Sequence, residues 1–162
     1  MQRVILLTGP THSGKTGALS ATVRQPGVAG LLAPDLHYGR ILEDLKSGEF
    51  ERFQIHDDSE PSVEIGPYHF RAAAFDWANG KLKTAVRSRA KIIVVDEVGP
   101  LEMRGEGLRS GLDAVLARDH GTAVLVVREK LVAQVEALVG GEAEVATVET
   151  WPQVWQTVID AA

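Results

Sequence analysis

Gly9-Pro10-Thr11-His12-Ser13-Gly14-Lys15-Thr16 follows directly on the apolar run Val4-Ile5-Leu6-Leu7. The octapeptide matches G-x-x-x-x-G-K-[ST], the phosphate-binding P-loop, in the required order of strand, loop and helix start. The spacing has a physical reason. A triphosphate is a dense anion and needs many converging donors. Successive backbone N–H groups of a tight loop make a concave anion site, and the following helix adds its unpaired donors and the positive end of its dipole. Gly9 and Gly14 let the backbone turn tightly and approach the phosphates. All eight residues are candidate nucleotide contacts. Lys15 is expected to reach the β- and γ-phosphate oxygens, and the Thr16 hydroxyl to ligate Mg²⁺. Thr11, His12 and Ser13 fill variable positions that supply mainly backbone donors, so His12 reads as a spacer.

A second stretch completes the chemistry. Ile92-Ile93-Val94-Val95-Asp96-Glu97 reads as a buried parallel strand ending in acids. Ligands sit at that C-terminal edge in open α/β sheets. Asp96 is the expected Walker-B acid, holding the Mg²⁺ shell through water or Thr16. Glu97 is the candidate base for an attacking water. Adjacent strand residues point to opposite faces, but at a strand end both can border the site. Glu102, in Gly99-Pro100-Leu101-Glu102, is open between a site residue and support of the loop or helix start.

About 80 residues separate Lys15 from Asp96, with one strand and a long insertion between them. This suits the P-loop class in which another strand lies between the P-loop and Walker-B strands and a glutamate follows the aspartate. Asp96-Glu97-Val98-Gly99 also fits the D-x-x-G switch of small GTPases, but no N-K-x-D segment follows. No ABC-type signature is present, and the chain is short for an AAA-type motor.

Composition bounds the rest. A chain of 162 residues is enough for one domain with a good core, so residues 1–162 read as a single domain. The net charge of −5 argues against a nucleic-acid partner held by broad electrostatics. The absence of cysteine excludes disulfides, thiolate metal sites and cysteine nucleophiles. No stretch approaches the length of a membrane span. The N-terminus enters a strand at once, which is not the pattern of a signal peptide. A cytoplasmic location is therefore the expectation, with no protein partner identified.

Hydropathy patterning predicts a strand over 3–8, a helix over 15–24, and a strand over 28–33. Residues 34–70 read as a β-rich insertion beside the nucleotide site. Segments 38–45 and 50–55 flank the turn Lys46-Ser47-Gly48-Glu49, against a competing helix over 41–46, and Tyr68-His69-Phe70 reads as a further strand. A helix over 72–88 buries Phe75, Ala78, Leu82, Ala85 and Val86, with Asn79-Gly80 as an interruption. Leu108, Leu112, Val115 and Leu116 mark another helix. A strand over 122–127, a helix over 131–139 and a strand over 144–148 follow. Thr150 is placed to cap a last helix with Pro152 in its first turn, and Trp151 and Trp155 read as packing residues. Strands alternating with helices imply an α/β fold with a mostly parallel sheet flanked by helices.

The two motifs, Thr8-Gly9-Pro10 through Thr16 and Asp96-Glu97-Val98-Gly99-Pro100-Leu101-Glu102, resemble those of the small P-loop nucleoside-triphosphatase family described from thermophiles and also known as cancer-related NTPase. The Gly30-Leu31-Leu32 strand, Gly39-Arg40 and Phe70 are similar in order and spacing. The resemblance implies a RecA-like core and slow, Mg²⁺-dependent hydrolysis of several nucleoside triphosphates. It implies that Lys15 and Thr16 bind phosphate and metal, that Asp96 supports Mg²⁺, and that Glu97 is the base. The loop centre Thr11-His12-Ser13 departs from a glycine-rich run, and 34–39 is not a close match.

Arg128, after the strand over 122–127, is a candidate to stabilise charge on the γ-phosphate, against a solvated or Glu129-paired loop arginine. Arg40 and Arg71 are weaker candidates. Lys81, Lys83, Arg87 and Arg89 read as a solvated helix face. Two rivals to hydrolysis remain: a nucleotide or small-molecule kinase, with Arg40, Arg52 and Arg71 for an acceptor phosphate, and a nucleotide-dependent regulatory switch using the insertion.

Overall fold

The structure is a computed structural model and describes residues 1–57 and 59–162. Five strands run parallel: β1 (Arg3–Gly9), β2 (Val28–Leu32), β9 (Ile92–Val98), β10 (Thr122–Arg128) and β11 (Glu144–Ala146). Between β2 and β9 come β3 (Asp35–Leu36), β4 (Gly39–Asp44), β5 (Phe50–Arg52), β6 (Gln54–Ile55), β7 (Ser62–Ile65) and β8 (Tyr68–Arg71). The main sheet is ordered β11-β1-β10-β9-β2-β4-β3, with β5 on β4. The strand lying in space between the P-loop strand and the Walker-B strand is therefore β10, although in sequence β2 comes between them.

Period-2 alternation sends the two faces of each strand to different cores. Val4 and Leu6 of β1, Ile93 and Val95 of β9, and Leu125 and Val127 of β10 pack with α2 (Ala72–Arg87), α4 (Arg109–Leu116) and α5 (Val132–Val139). Ile5, Leu7, Ile92, Val94, Val124 and Val126 pack with α1 (Lys15–Ser20) and α6 (Trp151–Asp160) on the other face. Asn79-Gly80 does not break α2. The Asn79 side chain donates to the Gly107 carbonyl at 2.9 Å and accepts from the Gly111 amide at 2.8 Å, pinning α4 against α2. A short helix, α3 (Pro100–Met103), links β9 to α4.

The first helix ends sooner than the sequence reading of 15–24. Beyond Ser20 it fades through a turn in which the Thr22 hydroxyl bonds the Ala18 and Leu19 carbonyls. Leu19 and Val23 are nevertheless both core. The competing helix over 41–46 does not form: β4 pairs antiparallel with β5, and the Asp44 carboxylate accepts from the Ser47 amide and hydroxyl in the turn. The expected continuous strand over 50–55 is split at Phe53, so that β6 joins β8 and β7 in a separate three-stranded sheet. Trp151 and Trp155 are buried as expected, and the Trp151 indole donates to the Thr22 hydroxyl at 3.0 Å. Thr150 stands at the start of α6 but does not cap it through its side chain. Its hydroxyl accepts from the Thr147 amide instead, because the chain already turns there with Trp151 N–H bonded to the Thr147 carbonyl. No helix among the described residues is long and apolar enough to cross a membrane.

Two glycines give opposite tests of this packing. Gly30 in β2 has φ +117°, and a Cβ there would lie 2.0 Å from the Val94 carbonyl oxygen of β9. Gly80 is exposed within α2, and a methyl group added there would meet nothing within 4 Å. Gly30→Ala is expected to destabilise by roughly 3 kcal/mol or more through strand separation. Gly80→Ala is expected to stabilise by about 0.5–1 kcal/mol through helix propensity. Urea unfolding of the two variants checks both signs.

Candidate active site

The P-loop leaves the end of β1 and turns over the end of β10, which pairs with it from Arg3↔Thr122 to Gly9↔Arg128. The Ser13 amide bonds the Pro10 carbonyl at 3.1 Å, closing the loop. His12 has φ 60° and Gly14 φ 88°. Positive φ on either side of Ser13 gives the alternation of backbone conformation from which an anion nest is built. His12 is exposed and lines the cavity. The Lys15 ammonium reaches back to the Gly9 and Pro10 carbonyls at 3.0 and 2.9 Å, bridging the loop it would defend against charge repulsion between phosphates.

Asp96 is fully buried. Its Oδ2 accepts from the Thr16 hydroxyl at 3.0 Å and the Ala33 amide at 2.9 Å, while Oδ1 has no partner among the described residues. Burial pushes the carboxyl up to about 6, and the Glu97 charge adds to this; the Ala33 amide, the Thr16 hydroxyl and Arg40 oppose it. A dry carboxylate with one unsatisfied oxygen, beside a hydroxyl at a helix start, is a donor set suited to a hard divalent cation. The residues therefore fit Mg²⁺.

A bulge delivers the second acid. Val95 and Val98 of β9 face Leu125 and Val127 of β10, so Asp96 and Glu97 together oppose Val126. Glu97 has φ 72°, the left-handed conformation seen in such bulges. The extra residue breaks the alternation, which is why two consecutive acids border one cavity and why Val98 returns to the core. The Glu97 carboxylate is ion-paired with the Arg40 guanidinium of β4.

These groups line a cavity of about 560 Å³. Thr11 to Gly17, Asp96, Glu97, Arg40 and Arg128 form its polar end, and Leu42, Phe53, Ile65, Tyr68, Phe70, Phe75, Leu101 and Leu108 its apolar end. Gly9 and Pro10 stand behind the loop, outside the lining. Arg128 is the last residue of β10, exposed, and without a hydrogen-bond or ion-pair partner among the described residues; it is not paired with Glu129. Arg71 and Arg52 lie outside the lining. Arg71 is engaged by Glu60, Glu51 and the Arg52 carbonyl, and Arg52 by Glu60. Both therefore brace the insertion, which removes two of the three arginines considered for an acceptor phosphate. Lys81 is likewise paired with Glu49 and lies over the Trp77 ring.

Glu102 is buried, and its carboxylate accepts from the Gly99 amide at 3.0 Å and the Leu108 amide at 3.4 Å. It lines the cavity and ties the start of α3 to the start of α4, which is support of the loop and helix start. The residues that the sequence reading passed over are the aromatic ones. Their signal was present: all four Phe and both Tyr fall between residues 38 and 75.

A P-loop on β1, paired acids on β9 and β10 between them define a P-loop NTPase. The family model described as NTPase matches residues 4–159, and the chain belongs to that family. Nucleoside-triphosphatase THEP1 of Methanopyrus kandleri is 28% identical over 142 residues, covering 80% of this chain and 76% of the relative. The crystal structure of THEP1 from the hyperthermophile Aquifex aeolicus superposes with a TM-score of 0.74 at 17% identity, over 99% of this chain and 98% of the other. The solution structure of a human cancer-related nucleoside triphosphatase gives 0.73 at 19% identity, over the full length of both chains. The fold is common to this chain and the two solved structures.

Burial pushes Glu102 up to about 7 from an ordinary 4.5, with the Gly99 and Leu108 amides opposing. A carboxyl raised in the folded state holds a proton that the unfolded chain has released. Its contribution to stability is full below about 4.5 and is lost as pH rises toward about 7. The unfolding free energy of Glu102→Gln relative to the unsubstituted protein is therefore expected to rise by roughly 2–3 kcal/mol between pH 5 and 8. Denaturant titrations at the two pH values measure it; a constant difference would show that Glu102 is ionised throughout.

Proposed function

We propose that the chain is a Mg²⁺-dependent nucleoside triphosphatase that transfers the γ-phosphoryl group of ATP, GTP and other nucleoside triphosphates to water. The observation that carries this reading is the juncture of Thr16, Asp96 and Glu97. A hydroxyl at the P-loop helix is bonded to a buried acid whose second oxygen is unsatisfied, and the bulge sets a second acid beside it. The family membership supports the same activity. The reading takes residues 1–162 as one P-loop NTPase domain, with the insertion over about 34–70 as a wall of the site, and places it in the cytoplasm.

In this mechanism the backbone donors from Thr11 to Thr16 cradle the phosphates. Lys15 exchanges the Gly9 and Pro10 carbonyls for β- and γ-phosphate oxygens. Thr16 and Asp96 would hold Mg²⁺, which when bound would supply counter-charge to the phosphates. Glu97 accepts the proton of the attacking water as its oxygen bonds to the γ-phosphorus. Arg128 stands at the same edge as Gly9 and stabilises the charge that develops on the phosphoryl oxygens.

Phosphate release from ATP, GTP, CTP and UTP in the presence of Mg²⁺ tests the proposal. Lys15→Ala is expected to abolish turnover. Glu97→Gln should keep nucleotide binding while kcat falls by about 10²–10⁴, and normal turnover in that variant would remove Glu97 from the base role. Arg128→Ala should lower kcat by roughly 10²-fold with a smaller effect on KM.

A further inference from the structure

We infer that the apolar end of the cavity is a second substrate site, which takes a nucleoside-type phosphoryl acceptor: a flat heterocycle on a sugar that presents an oxygen nucleophile. The inference rests on the proposed γ-phosphoryl chemistry at the same site.

Its position follows from the sheet order. The P-loop stands on β1, the acids on β9 two places along, and the apolar end beyond them, on β4 and on the sheet of β6, β8 and β7. A γ-phosphoryl group at Thr16, Asp96 and Glu97 has its nucleoside diphosphate on the P-loop side. Nucleophile and leaving group lie in line on opposite sides of the transferred phosphorus. The apolar chamber is therefore on the side from which the nucleophile comes.

Its chemistry is not that of a water site. A water molecule needs about 30 Å³ and two to four polar partners. The chamber walls are Leu42, Phe53, Ile65, Tyr68, Phe70 and Phe75. The Phe53 ring lies 4.5 Å from that of Phe70 and 5.0 Å from that of Phe75, and Tyr68 stands 6.4 Å from Phe70. Tyr68 follows the turn Gly66-Pro67, is 52% exposed, and presents its ring at the mouth. Aromatic faces that line a concave site accept a flat ring by stacking.

Polar groups are few and placed at the boundary, as in sites that orient an apolar ligand. Gln54 lines the chamber. Its Oε1 accepts from the Arg40 amide at 3.3 Å, and its amide nitrogen makes no hydrogen bond among the described residues, leaving a donor for a base edge. The Arg40–Glu97 pair closes the polar end. A hydroxyl acceptor would use Glu97 alone; an acceptor phosphate would also take Arg40 as its counter-charge. In the transfer the acceptor oxygen bonds to the γ-phosphorus and its proton, where it carries one, passes to Glu97. The bond from that phosphorus to the β–γ bridging oxygen breaks, and its electron pair leaves with the nucleoside diphosphate.

The test uses the full chain with ATP labelled in the γ-phosphate and Mg²⁺. The probes are adenosine, guanosine, cytidine, uridine and their four 5′-monophosphates, supplied one at a time. Labelled inorganic phosphate and labelled nucleotide product are read in the same reaction. Label is expected in at least one acceptor product, with inorganic phosphate falling as that product rises. A labelled nucleoside monophosphate, formed from a nucleoside, identifies a hydroxyl acceptor, and a labelled nucleoside diphosphate, formed from a monophosphate, identifies the phosphate arm. With the active acceptor, Tyr68→Ala is expected to lower the ratio of transfer to hydrolysis at least tenfold. Hydrolysis without transfer to any of the eight overturns the inference and leaves the triphosphatase reading intact. An unchanged ratio in Tyr68→Ala overturns the placement of the acceptor. Neither hydrolysis nor transfer by folded protein defeats the triphosphatase reading and the inference with it.

Discussion

The hydrogen bond from the Thr16 hydroxyl to the Asp96 carboxylate joins the two halves of the site, and much of the sheet order follows from it. Asp96 lies on β9 and Thr16 begins the helix after β1. With β10 between them, the two strands stand about 10 Å apart at ordinary strand spacing. The P-loop spans that gap by turning over the end of β10, and α1 then starts close enough for Thr16 to reach across. Had β9 paired directly with β1, the loop would have nothing to turn over. A buried carboxylate is expensive without donors. Asp96 has the Thr16 hydroxyl and the Ala33 amide from the end of β2, so the helix, the loop and two strands all converge on one oxygen.

The other oxygen is left over, and the chain carries a second irregularity beside it. A glutamate at φ 72° is strained by about 1–2 kcal/mol relative to ordinary strand geometry. In a regular strand Glu97 would point to the face opposite Asp96 and bury its charge against α2 and α4. The bulge avoids that outcome and turns the carboxylate to the cavity, where Arg40 meets it. The strain and the unsatisfied oxygen occur at consecutive residues. Together they mark the place where the fold gives up local stability for a function that packing alone does not require.

The phosphate half of the site was legible in the sequence, and the reason is that its chemistry is local. Gly9 to Thr16 form one continuous loop, and Asp96-Glu97 end one apolar run, so spacing along the chain is close to spacing in space. Helices with a clear stripe, such as α2 and α4, were legible for the same reason. The insertion was not. Its partners are distant in sequence: Phe53 meets Phe70 and Phe75, Gln54 faces Phe70, and Arg40 reaches Glu97. Short strands carry too few residues for a periodic signal, so β3 and β7 leave no pattern of their own and β5 and β6 read as one. Arginines are ambiguous in any sequence. Arg40, Arg52 and Arg71 look alike there, and only packing shows that one borders the acids while two are held by Glu51 and Glu60.

The two halves also differ in what each can change. The polar end is made of backbone amides, parallel strands buried on both faces, and a carboxylate with fixed donors. Altering any one of these disturbs the sheet itself. The apolar end is made mainly of side chains on β4 and on the short antiparallel strands β7 and β8, with Phe53 between β5 and β6, Phe75 of α2, and Leu101 and Leu108. Its buried members are continuous with the core on one face of the parallel strands. A change of ring size at Phe53, Phe70 or Tyr68 would reshape the cavity while leaving the P-loop and β9 in place. On the proposed function, what enters beside the γ-phosphate is therefore set by the apolar lining, whereas a triphosphate is held by the loop and the strands around β10. Charge handling and ligand choice are carried by separate parts of one chain, and they meet at the Arg40–Glu97 pair.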